Sequence, residues 1–170
     1  QQTDNIIWLA NLLNNLGVLQ HLTGDYRSAI ISYEKALQYA HRSGHSRIEA
    51  FVLTGIGDIY VELNALEEAA TAYHQASTIT QRLNIAVLQA YLYIQEASVA
   101  CSKGNFPECY HLIEEARTLS SKENMVMEIH LSNLEYAGIK LKEGKANEVV
   151  TLLEKECLFF ESGGHKVQSE

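Results

Sequence analysis

The chain repeats itself every 40 residues. Gly24-Asp25-Tyr26 precedes Ala29, Tyr33 and Ala36, and forty residues on Asn64-Ala65-Leu66 precedes Ala69, Tyr73 and Ala76. Gly104-Asn105-Phe106 then leads to Cys109, Ile113 and Ala116, and Gly144-Lys145-Ala146 to Val149, Leu153 and Glu156. Four copies in one register, with no insertion, restrict the chain to an architecture in which like units stack on one another. A frame set at Ala10 divides the 170 residues into units 10–49, 50–89, 90–129 and 130–169, after a lead-in of residues 1–9.

Each unit reads as two helices. Leu9, Leu12, Leu13, Leu16 and Leu19 recur at helical spacing in the first. Gly24, Asn64, Gly104 and Gly144 then break it, and glycine suits a left-handed C-terminal cap. The second helix follows about two residues later, with Asp25 and Asn105 placed as N-caps and Pro107 in the tolerant first turn. The spacing predicts helices over 4–23, 26–43, 46–63, 66–83, 86–103, 106–122, 125–143 and 146–161. Almost nothing remains for strands, and a single proline argues against a turn-rich sandwich or barrel.

These residues resemble the tetratricopeptide repeat (TPR), whose pattern W-x₂-L-G-x₂-Y, A-x₃-F, Ala and Pro runs over ~34 residues. Its Leu-Gly pair is matched by Leu16-Gly17 and Ile56-Gly57, weakening to Glu96-Ala97 and Tyr136-Ala137. Its small/large pair is matched by Ala29/Tyr33, Ala69/Tyr73, Cys109/Ile113 and Val149/Leu153. The proline slot holds His41, Gln81, Ser121 and Glu161 instead, so the second helix need not stop and the units lengthen. Such long units resemble the helical arrays of bacterial signalling ATPases and transcription activators, the maltotriose-responsive type among them. They are also similar to the arrays of cell-polarity scaffolds and kinesin light chains. The resemblance implies an all-α, right-handed superhelical solenoid of four helix pairs. It also implies a protein–protein interaction module, as the sensing or regulatory array of a multidomain intracellular protein. A small-molecule effector held in the concave groove is the alternative.

Composition narrows the partners. Thirteen Lys+Arg against 21 Asp+Glu give a net charge of −8, which disfavours phosphate backbones and hence nucleic acid. No apolar run is long enough for a membrane span. Three cysteines, Cys101, Cys109 and Cys157, with no close pair, fit a reducing cytoplasmic setting. The amino-terminal residues lack both an initiator Met and the basic region of a signal peptide, and the chain is expected to be part of a longer protein. His21, His41, His45, His74, His111, His130 and His165 occupy unrelated register positions with no acidic or cysteine partner at ligand spacing, so no metal site is expected. Cys109 stands in a slot otherwise filled by Ala, Ala and Val, which reads as a small buried filler. No nucleophile–base set and no phosphate loop occur, so neither an enzyme nor a bound cofactor is implied.

What remains is a surface. In the family that the chain resembles, the first helices line the concave face. That places Asn11, Asn14 and Asn15 in the first unit, Phe51, Thr54, Asp58 and Glu62 in the second, and Tyr91, Ile94, Gln95 and Ser98 in the third as partner-binding candidates. Amide side chains can pair with an extended peptide backbone, and Phe51 and Tyr91 can anchor a side chain. The units carry net charges of +1, −3, −3 and −1, so a partner with basic character is expected at the middle units. The last helix is apolar all round, and Val150, Leu158 and Phe160 lack an obvious partner in the sequence; further helices downstream, or self-association through that edge, are the expectation.

Overall fold

The structure is a computed structural model that describes residues 2–164, with side chains from 5 to 162. His165 and the end of the fourth unit lie outside the described residues. Eight α-helices run in order among those described: α1 (Gln2–Leu22), α2 (Tyr26–Ser43), α3 (Ser46–Glu62), α4 (Leu66–Leu83), α5 (Ala86–Ser102), α6 (Phe106–Lys122), α7 (Val126–Lys142) and α8 (Val150–Phe159). No strand forms among the described residues. Each odd helix packs on the even helix after it, each even helix on the next odd one through α7, and the odd helices also touch in series, α1 on α3, α3 on α5 and α5 on α7. The molecule is an all-α solenoid of helix pairs.

A left-handed residue ends every helix but the last, at a spacing of 20. Gly24, Gly44, Asn64, Asn84, Gly104, Asn124 and Gly144 all have φ between 53° and 78°. The hydrogen bonds are those of a Schellman turn. Gly24 N–H donates to His21 O and Asp25 N–H to Gln20 O, and the longer bond recurs as His45 to Ala40, Ala65 to Tyr60, Ile85 to Thr80, Asn105 to Ala100, Met125 to Ser120 and Lys145 to Lys140. Only Gly and Asn meet this backbone at low cost, which is why these two alone fill the seven sites. Of the two expected N-caps, Asp25 accepts from Ser28 N at 3.1 Å. Asn105 holds the position but makes no side-chain capping bond.

Within a pair, approach is set by matched volumes. Tyr33 is buried against Gly17; a Cβ at that glycine would stand 2.6 Å from the ring. Tyr73 covers Gly57 in the same way. In the third pair the partners are Ile113 and Ala97, and in the fourth Leu153 and Ala137: as the large residue shrinks, the small one gains a methyl. Tyr33 also reaches across the unit boundary, where a Cβ on Gly55 would lie 2.6 Å from its hydroxyl.

The last pair departs from the predicted single helix over 146–161. A 3₁₀ turn spans Ala146–Glu148, α8 follows, and a wide turn spans Phe160–Gly164. Tyr26, Leu66 and Phe106 pack the starts of α2, α4 and α6 into the core, whereas their counterpart Ala146 is exposed and anchors nothing. The β-branched Val149-Val150 pair further disfavours an early helical turn. A second change holds α8 in place. Ala10, Ala50 and Ala90 and Ala36, Ala76 and Ala116 are fully buried in the first three pairs, and His130 and Glu156 replace them in the fourth. His130 Nδ1 lies 2.5 Å from Glu156 Oε2, and Asn133 Nδ2 donates to Glu156 Oε1 at 2.9 Å. Phe159 stacks on His130 and Phe160 meets both rings edge-on. Phe160 is thus half-buried against α7, a correction to its reading as unpartnered, while Val150 and Leu158 are exposed.

Volume matching makes Gly17 and Tyr33 a coupled pair. Gly17→Ala should cost about 1–3 kcal/mol by overpacking. Tyr33→Leu should cost a similar amount through the cavity left behind. The double variant should be more stable than the sum of the two losses by at least ~0.5 kcal/mol. Urea unfolding of the four proteins measures this, and strict additivity would show that the ring does not set the approach.

Candidate functional site

The odd helices present the candidate residues in series. At the middle of the array Asp58 projects from α3, largely buried. Tyr73 Oη donates to its Oδ1 at 2.7 Å and Tyr91 Oη donates to the same oxygen at 3.2 Å. Asp58 therefore ties α4 and α5 to α3. Burial raises its pKa, against the pull of the two tyrosine hydroxyls and of His21. Burial and the neighbouring carboxylate push both tyrosine hydroxyls well above the usual range. Glu62, one turn on, sits 3.0 Å from His21 Nε2 and is held below the usual carboxylate range by Tyr26 and His21.

Towards the amino-terminal ends of α3, α5 and α7 an open groove of about 570 Å³ is lined by Arg47, Phe51, Val87, Leu88, Tyr91 and Glu128. Phe51 and Tyr91, singled out as anchors, thus share one groove, with Arg47 lying 5.9 Å from the Phe51 ring centre. Phe51 is 41% and Val87 56% exposed, enough for an incoming side chain to cover. The frame beginning at residues 10, 50, 90 and 130 crosses α3, α5 and α7 after their first turn, which hid Arg47, Val87, Leu88 and Glu128 from the sequence reading. Their signal was there in the 40-residue register, since Arg47 and Val87 occupy one position of it.

Other candidates fall elsewhere. Thr54 and Ile94 are buried, Thr54 Oγ1 donating to Ala50 O at 2.8 Å, so neither meets a partner at the surface, a correction to their place in the predicted set. The two share a register position with Asn14. Asn14 is half-buried and donates to Asn15 Oδ1 at 3.4 Å, while Asn11 donates to Ile7 O; these amides cluster on α1, a helix apart from the groove. Gln95 and Ser98 are half-buried on α5, and Ser98 bonds Glu135 of α7, whose pKa burial raises. Asp58, Glu62 and Glu135 make this side acidic.

Cys109 is fully buried, its thiol donating to Ala97 O at 2.9 Å and pushed up to about 12 by burial, the state of a packing residue. No group of three or more His, Cys, Asp or Glu that could hold a metal ion occurs among the described residues. No helix among them is long and apolar enough to cross a membrane.

Paired helices in register, small-on-large packing inside each pair and an open face along the first helices define a TPR-type repeat array. Residues 2–167 match the family described as the MalT-like TPR region, and the chain belongs to it. Repeats of this type generally mediate protein interactions and are generally non-catalytic. Among curated proteins, none matches the sequence.

On the opposite side, α4, α5 and α6 enclose a groove of about 390 Å³ containing Glu96 and Glu108. Burial, then the Glu108 carboxylate, pushes Glu96 up from 4.5 to about 7. A carboxyl raised in the folded state stabilises fully below its unfolded pKa, and that contribution is lost as pH rises through about 7. The array is expected to lose on the order of 1 kcal/mol between ~pH 5 and ~pH 8, reduced by solvent at this partly open site, and Glu96→Gln should flatten the slope. Urea midpoints for both proteins check it; an unchanged slope in the variant assigns the effect to other groups.

Proposed function

We propose that this chain is the partner-sensing, regulatory array of a longer, multidomain cytoplasmic protein in signalling or transcriptional control. It binds a protein segment that carries apolar and basic side chains. The observation that supports this reading most is the groove at Phe51 and Tyr91, continuous through the Tyr91–Asp58 hydrogen bond with the acidic stretch at Asp58 and Glu62. An apolar side chain fits the aromatic groove, and a lysine or arginine about three residues along an extended chain reaches the exposed Glu62 carboxylate. The open form of the groove, about 570 Å³ bounded by four helices, suits an extended chain rather than an enclosed small molecule, so a macromolecular partner is preferred to an effector.

A labelled peptide alternating leucine and lysine, compared with its leucine–glutamate counterpart, tests this by fluorescence anisotropy. The basic peptide should bind and the acidic one should not. Phe51→Ala and Glu62→Lys, both surface changes, should each weaken binding by about 1–2 kcal/mol, a 5- to 30-fold loss. Equal binding of both peptides, or loss of binding on Glu115→Lys of α6 but not on the two changes above, would overturn the assignment.

A further inference from the structure

One pair of register positions recurs at each boundary between an even helix and the odd helix after it. The pair is Ile30 and Ile56 for α2 and α3, Ala70 and Glu96 for α4 and α5, and Tyr110 and Tyr136 for α6 and α7. Ile30 and Ile56 pack against the first core cluster, and the rings of Tyr110 and Tyr136 meet edge-on with centres 5.7 Å apart. At the middle boundary a methyl group and a carboxylate stand in their place. Ala100 widens the shortfall, since its counterparts are Gln20, Tyr60 and Lys140. The result is the groove of about 390 Å³ between α4, α5 and α6, with Ala70, Val99, Ala100 and Leu112 as apolar lining and Glu96 and Glu108 as carboxylates. It is interior to the array: α3 packs on α4 and α5, and α7 on α5 and α6.

Glu96 has no hydrogen-bond or ion-pair partner among the described residues. Glu156, the other acid in an otherwise apolar position, has both His130 and Asn133. A half-buried carboxylate without a partner is costly, and a cation beside it recovers that cost. The next boundary shows such a cation in place. Lys140, the counterpart of Ala100, bonds Glu148, the counterpart of Glu108, at 3.0 Å, and its Nζ lies 5.2 Å and 5.5 Å from the ring centres of Tyr110 and Tyr136. The middle groove keeps the carboxylates and lacks the ammonium. Its other ionisable groups do not supply one, because Lys103 is paired with Glu67 at 2.9 Å and His74 is exposed at the rim.

We propose that this groove receives a lysine side chain of a partner protein, its ammonium between Glu96 and Glu108 and its stem along Ala70, Val99, Ala100 and Leu112. The volume lies within the ~300–1,000 Å³ of ligand sites, and the charges are complementary. The inference is independent of what binds at Phe51 and Tyr91, on the other side of the array. Only ionised Glu96 pairs with the ammonium, and Glu96 titrates at about 7, so binding should be about tenfold tighter at ~pH 8 than at ~pH 6. His74→Gln should keep that dependence, and Glu96→Gln should remove it.

The test is a titration of the isotope-labelled chain, followed by amide NMR shifts, with a capped pentapeptide holding one lysine among glycines. Shifts should centre on residues 96–108, and a norleucine counterpart should bind at least about tenfold more weakly. Glu108→Gln, an exposed change, should weaken the lysine peptide by a similar factor. Ala100→Lys should supply the missing ammonium from within, abolishing peptide binding, raising the urea midpoint and flattening its fall with pH. Ala100→Met, of like length without charge, should block the peptide and leave that fall in place. Equal binding of the lysine and norleucine peptides, no shift at the groove, or a Glu108→Gln protein that binds normally overturns the proposal. So does 1,5-diaminopentane binding far more tightly than the peptide, which would assign the groove to a free amine.

Discussion

The left-handed residue that closes each helix is the constraint on which the rest of this structure depends. With a Schellman turn every 20 residues, from Gly24 to Gly144, each helix from α2 to α7 runs 17 or 18 residues. Equal length is what lets one register position serve one purpose throughout. Residues 48 and 88 face the preceding pair, and residues 17 and 57 lie under a ring, only because no turn has gained or lost a residue. A single insertion within a helix would rotate the remainder of that helix by ~100° and turn its small residues away from their partners.

The 40-residue period and most helix bounds were legible because glycine and asparagine at the turns and small/large pairs in the helices are strong local signals. The half-period was less so. Gly44, Asn84 and Asn124 repeat the cap of Gly24, but the shared residues around them are few, and the eye is drawn to the longer unit. Burial within the candidate face was harder still. The resemblance places Thr54 and Ile94 on the concave face, yet both are buried, on helices that pack against several others. Periodicity describes a helix against one neighbour; α3 and α5 each touch four other helices. The groove between Phe51 and Tyr91 is composite, drawing on four helices and a turn, and no local pattern encodes such a convergence.

The fourth pair shows how much chemistry the architecture tolerates if exchanges are reciprocal. Two alanine positions, one on each helix, have become His130 and Glu156, and an asparagine stands where leucine or tyrosine stood at Asn133. A buried carboxylate alone would be costly, but one that accepts from Asn133 and pairs with the His130 imidazole is satisfied. Arg117 extends the set, donating to Asn133 at 2.7 Å and lying 4.6 Å from the Tyr136 ring centre. Polar contacts are directional where methyl groups are not. The last helix is thus held by orientation as much as by burial, even though its first turn has frayed into 3₁₀ form.

The matched volumes of Gly17 with Tyr33 and of Ala97 with Ile113 bear on how such an array changes over generations. Moving from one combination to the other takes at least two substitutions, and neither intermediate is neutral: one overlaps, the other is hollow. Each intermediate draws on the ~5–15 kcal/mol that separates a folded domain from its unfolded chain. Units joined by drift alone would be expected to exchange residues freely and converge on a mixture. Here every unit is coherent within itself, tyrosine with glycine or aliphatic with alanine, and never crossed. The barrier between the two solutions preserves the individuality of each repeat, so descendants of one ancestral helix pair stay distinguishable by their packing after their surfaces have diverged.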